Sequence, residues 1–173
     1  MSQRLPKDPL DGPINQFVQA VDDFLTMNLE FDNPPEIPSA GPNPTWADVQ
    51  RVWEDCKHAL RKAHASFMGV QPEITERLEI VCGKGAVVLD LTEDPNIVGP
   101  VAELTELMVE VRGVITHMGT ALGKAASVLG FFALVMEYAG LKNRIPPLSA
   151  RVVVARDALI AYNLMRTPPP ESA

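Results

Sequence analysis

Aromatic side chains make up only 6% of the 173 residues. A core built with so few of them rests on Val, Leu, Ile, Ala and Met, a composition that suits packed helices. Cations are scarce too: 15 Lys and Arg against 22 Asp and Glu give a formal net charge of −7. Nucleic-acid binding needs clustered Lys and Arg for phosphate contacts. The densest group here, Arg51, Lys57, His58, Arg61 and Lys62, is interleaved with Glu54 and Asp55 and reads as a solvated helix face. No nucleic-acid partner is expected.

There are two cysteines, Cys56 and Cys82. Both sit among apolar neighbours and read as small buried hydrophobes, because two cysteines make no disulfide framework. The first ten residues contain Arg4, Lys7 and Asp8 and no apolar core of a leader, so a cytoplasmic location is expected. A long apolar run is also missing. A spanning helix needs about twenty predominantly apolar residues. Lys124 and Glu137 bracket the uncharged stretch from Ala125 to Met136, which is shorter than that.

The motifs of catalysis and metal binding are absent. His58 and His64 lie six residues apart, and Cys56 and His58 two apart, so neither pair shares a helix face. His117 stands alone, and all three histidines read as surface or core-edge residues. No Glu-x-x-His occurs, as a dimetal bundle would require. The carboxylate groups Asp22/Asp23, Glu76/Glu79 and Glu103/Glu106/Glu110 follow helical spacing and read as charged outer faces, not as an acid–base pair sharing a cleft. Gly83-Lys84-Gly85 lacks the rest of a Walker motif. Neither Ser39-Ala40-Gly41 nor Ser66 forms a nucleophile elbow. The chain is therefore read as a non-enzyme with no cofactor and no metal. Met108, Met118, Met136 and Met165 read as core filling before any pocket lining.

What the sequence does have is punctuation, with 16 prolines and 11 glycines. Proline lacks a backbone donor and clashes with the preceding turn, so these residues mark expected helix boundaries. The expectation is an all-α fold, a bundle of about six helices with proline-rich linkers. It occupies residues 13–166, between an N-terminal arm (1–12) and a disordered tail (167–173). Ile14, Phe17, Val18, Val21, Phe24 and Leu25 make the first stripe, over about 13–29. Residues 33–44 carry five prolines and form the linker. Thr45-Trp46-Ala47-Asp48 resembles a capping box and opens a second helix, which bears Trp46 and Trp53 and ends at Gly69. A third helix follows Pro72 and continues through Gly83 and Gly85 to Leu91, the alternative being a short strand over 86–91. A fourth spans about 96–118 and a sixth about 148–165, with Ser149 as its cap.

Between those two lies the most distinctive segment, 119–140. Gly119, Gly123 and Ser127 recur every four residues and Gly130 follows. Small residues at that spacing let helices approach closely. The stretch reads as a buried central helix, with self-association or membrane contact as the other reading. Gly119, Gly123, Ser127, Gly130, Trp46 and Trp53 are the candidate interaction residues.

The order of features from Phe17 to about Met118 resembles the helical N-terminal domains of fungal STAND (NLR-like) proteins. The features are the first helix, the linker with Ile37-Pro38-Ser39, the helix bearing Trp53 and running from Ala59 to Phe67, the segment 72–91 with its Gly-Lys-Gly interruption, and the helix 97–118. The resemblance is one of pattern, covers more than half the chain and includes no nucleotide-binding segment. It implies a signalling or cell-death-associated interaction domain, some of which disrupt membranes. The functional expectation is thus a non-catalytic module that binds a protein partner or itself. The alternatives are a membrane-active effector acting through 119–140 and a small structural subunit of a larger assembly.

Overall fold

A computed structural model of the chain describes residues 8–27, 29, 41–123 and 128–166, with the backbone only at Val128 and Leu129. Among the described residues there is no strand, and four helices follow in order: α1 (Asp11–Leu25), α2 (Trp46–Leu91), α3 (Pro95–Leu122) and α4 (Val128–Arg166). The all-α expectation holds; the count of six does not, because two proposed boundaries are absent. Pro72 lies inside α2, and Pro146 and Pro147 lie inside α4. Ser149, expected as a cap, is therefore an interior residue of α4.

The reason lies in the buried stripes. Along α2, Phe67, Ile74, Leu78, Val81 and Val88 are buried, while Pro72 is exposed. Along α4, Leu141, Ile145, Leu148 and Val152 are buried in unbroken helical spacing, and both prolines face out. An interior proline costs a helix roughly 3 kcal/mol. Burying one Leu or Ile returns about 1.5–3 kcal/mol. Several such side chains in register on both sides of each proline outweigh the break.

The helix starts follow local chemistry. Thr45 N donates to Asp48 Oδ2 at 3.0 Å, and Asp48 N donates to Thr45 Oγ1 at 3.2 Å. This is the reciprocal capping box, with Asp in the place Glu usually takes. Asp94 caps α3: Asn96 N donates to its Oδ1 at 3.0 Å, and Pro95 fills the first helical position, where no donor is needed. Helix α1 begins at Asp11, two residues before the expected start. In the turn ahead of it Asp8 Oδ1 accepts from Leu10 N at 2.9 Å. Just before α2, Gly41 has φ +86°, a left-handed conformation that favours glycine.

Where the sequence reading drew one bundle over 13–166, the packing groups into two compact units. The first comprises Met1–Asn28, Ile74–Arg112 and Pro146–Ala173; the second comprises Leu29–Glu73 and Gly113–Ile145. The first unit gathers α1, the C-terminal half of α2, the N-terminal part of α3 and the C-terminal half of α4. Its core includes Phe17, Phe24, Ile74, Leu78, Ile97, Leu104, Leu107 and Met108. In the second unit, Val52, Cys56 and Phe131 form a buried cluster with Trp53, Leu60 and Val135 packed against it. No polar or charged residue is buried among the described residues. Most of the linker (33–40), nearly all of the N-terminal arm (1–7), Ser127 and the tail 167–173 lie outside the described residues.

Candidate functional site

The glycine-spaced segment is not one helix. Gly119 is in the last turn of α3, Gly123 is in the turn that follows, and Gly130 belongs to α4. Gly123 N donates to Thr120 O at 3.1 Å, a tightened end of the kind that closes a helix. The even spacing of Gly119 and Gly123 therefore does not continue along one helix.

Gly119 nonetheless makes a close approach. A Cβ built on it would stand 2.9 Å from Phe67 Cε1, and Phe67 is buried. The missing side chain makes room for an aromatic ring of the same unit. Gly85 does the same in the first unit, where its Cβ would stand 2.7 Å from Thr105 Cγ2 and 3.1 Å from Phe17 Cε2. The Gly83-Lys84-Gly85 run is thus packed helix. Lys84 Nζ donates to Gln16 Oε1 at 3.3 Å.

The two tryptophans part company. Trp53 is half-buried against the Val52–Cys56–Phe131 cluster, and Lys57 Nζ lies 5.7 Å from its ring centroid, within cation–π range. Trp46, in the first turn of α2, is 75% exposed. The methionines part in the same way. Met108 and Met118 are fully buried, whereas Met136 is 77% and Met165 81% exposed. The sequence reading of Met136 and Met165 as core filling is corrected: they lie on the outer arcs of α4. On the same side of α4 as Met136, Phe132 is exposed one turn earlier. Beside them Glu137 Oε1 is 2.8 Å from His117 Nε2, an exposed pair between α4 and α3.

The titratable groups do structural work. Burial pushes the Cys56 thiol up, Asp55 adding to the effect; burial likewise raises Cys82. Both are free, and a raised pKa makes each a poor nucleophile. Asp94 accepts from Tyr162 Oη at 2.5 Å. That bond, followed by the one from Asn96 N, holds Asp94 below the usual carboxylate range and pushes the Tyr162 phenol up. Arg166 binds Asp8 and also reaches Asn163 Oδ1 at 2.9 Å, while Arg156 Nη1 is 2.8 Å from Asp22 Oδ1. These pairs tie the first unit's helices together. Among the described residues no three His, Cys, Asp or Glu side chains are grouped to hold a metal ion, and no helix is long and apolar enough to cross a membrane.

The candidate functional features are therefore exposed apolar side chains, taken unit by unit. Exposed large hydrophobes include Trp46, Met68, Phe132 and Met136 in the second unit, and Ile80, Val87, Leu91, Val109, Val154, Leu164 and Met165 in the first. Among these, sequence reasoning had singled out only Trp46 as an interaction candidate and had placed Met136 and Met165 in the core, since apolar periodicity cannot say which of two arcs turns inward. Compared with protein families, curated proteins and solved structures, the chain matches none.

Proposed function

We propose that the chain is a non-catalytic helical module that binds a protein partner or another copy of itself. Its place would be a cytoplasmic signalling assembly of the kind that the STAND resemblance implies. The observation that carries this reading is the set of exposed apolar side chains just described. Trp46, Phe132 and Met136 in the second unit, and separately Val154 and Met165 in the first, are exposed, while the buried core is assembled without them. Exposed apolar side chains one turn apart, such as Phe132 and Met136, mark interaction sites more often than single ones do, and Trp, Phe and Met are enriched at the centres of interfaces. The net charge of −7, and the carboxylates Glu54 and Asp55 among the densest cations, Arg51 to Lys62, support a protein partner over nucleic acid.

Light scattering on the purified chain tests this, alone and mixed with candidate partners. A defined oligomer or a stoichiometric complex is expected. A chain that stays strictly monomeric and joins no partner sinks the proposal. Phe132 and Met136, one turn apart within 119–140, favour contact with a membrane surface as the second reading. It predicts dye release from loaded liposomes, altered by Gly123→Leu; an unchanged signal at high protein concentration removes it.

A further inference from the structure

The C-terminal half of α4 has two faces with different fates. Leu148, Val152, Ala155 and Leu159 are buried in the first unit. On the outer arc, Arg151, Val154, Ala158, Ala161 and Met165 are all exposed, Val154 by 70% and Met165 by 81%. Their spacing is three, four, three, four. That is the a–d alternation of a coiled-coil seam, and it keeps all five within a narrow arc of the helix. Leu164, also exposed, widens the apolar strip at its C-terminal end. A seam with this spacing on the outside of the first unit suits another helix.

The order of sizes says which helix. From Val154 to Met165 the seam runs large, small, small, large. Reversed, it reads large, small, small, large again. Two copies of α4 laid antiparallel therefore match layer for layer. Val154 meets Met165 of the other copy, Ala158 meets Ala161, and the two remaining layers repeat these by symmetry. A two-fold interface requires such self-complementarity. The central alanines allow close approach, and the bulky ends fill the space where the helices diverge. Charge does not oppose the pairing. Arg151 lies beyond the last matched layer and is 3.9 Å from Glu110 of α3. Asp157, on the seam's flank, is 3.1 Å from Arg156.

We infer that the chain self-associates as an antiparallel dimer through Val154, Ala158, Ala161 and Met165 of α4. This rests on the interaction-module reading and gives it one surface and one occupant, a second copy. The seam is only about 16 Å long. So short a seam, with alanines at its centre, makes association weak and concentration-dependent.

Sedimentation equilibrium of the full chain, from micromolar to millimolar, tests it. The wild type should shift from monomer to dimer across that range. Ala158→Glu, at an exposed site with good helix propensity, should leave the circular dichroism unchanged and lower the association constant at least about tenfold. Ala158→Leu should weaken the dimer as well, because a larger side chain holds the helices apart. If it tightens association, the surface is a loose apolar patch and the seam is wrong. Thr116→Glu, at an exposed position of α3, is the control and should change nothing; a loss equal to that of Ala158→Glu overturns the assignment. Orientation is read by oxidation in a Cys82→Ser background. Val154→Cys mixed with Met165→Cys should give the crossed disulfide, and Val154→Cys alone should give no dimer. Cross-linking of Val154→Cys to itself means parallel pairing and overturns the geometry. A dimer that survives Ala158→Glu overturns this surface but leaves the module reading standing. A chain that is monomeric throughout yet binds a different protein, or floats with vesicles, removes the dimer alone.

Discussion

At the residue scale, the glycines divide by what surrounds them. Gly83 and Gly85 are two positions apart on α2. Nothing lies within 4 Å of a Cβ at Gly83, whereas one at Gly85 meets Thr105, Phe17 and Val101. Replacing a helical glycine by alanine gains roughly 0.5–1 kcal/mol from reduced backbone entropy. Forcing a methyl into a packed site costs about 1–3 kcal/mol. Gly83→Ala should therefore raise the unfolding midpoint in urea, and Gly85→Ala should lower it. Equal shifts in both variants would show that the Gly85 contact is absent. The bond between Tyr162 and Asp94 gives a second prediction. Asp94 is held below its ordinary 3.8, so its contribution is present above that pH and fades as the pH falls through the lowered value. Tyr162 is raised above its ordinary 10.0; its contribution is complete below pH 10.0 and is lost as pH rises through the raised value. Tyr162→Phe should thus remove the alkaline loss of stability and shrink the acid one, seen in melting temperature against pH. An unaltered alkaline limb would mean the pair contributes nothing.

At the scale of elements, proline is the lesson. Pro34, Pro35 and Pro38 lie outside the described residues, but Pro72, Pro146 and Pro147 lie within long helices. Pro72 is exposed and has no N–H to offer the carbonyl of Met68, which is itself exposed. Pro72→Ala should restore one helical hydrogen bond and stabilise the chain by about 1–3 kcal/mol, less what the unfolded chain gains in freedom. Thermal unfolding checks this, and a fall in midpoint would mean that the proline's geometry is required. The stop at Leu122 has the opposite origin. There glycine, not proline, ends the element, through the turn at Gly123. The periodic stripes and the Thr45–Asp48 capping box were legible in the sequence. The boundaries were not, because a local breaker rule carries no information about the side chains buried on either side of it.

At the scale of the whole molecule, the two units differ in how they are held. The first has ion pairs and hydrogen bonds between distant segments, among them Arg156–Asp22 and Tyr162–Asp94. The second rests on its apolar cluster around Phe131, with His117–Glu137 at its surface. Phe131→Ala empties the centre of that cluster and should cost about 3–5 kcal/mol. Amide exchange should then quicken most in 46–73 and 113–145, with less change in 74–112 and 148–166. Uniform loss of protection across the chain would show a single cooperative unit instead.

The sequence by itself determined the helical class, the apolar periodicity and the lack of any recognisable catalytic or metal motif. These follow from composition and from a 3.6-residue period, which each segment carries within itself. Tertiary packing decided how many helices there are, which glycines are filled by a neighbour's ring, and which of two apolar arcs on α4 is left to solvent. Each of those outcomes depends on what the opposing helix presents, and that is written elsewhere in the chain. Leu159 and Met165 have similar hydrophobicity and sit on one helix. Only the position of the other three segments of the first unit makes one of them core and leaves the other exposed.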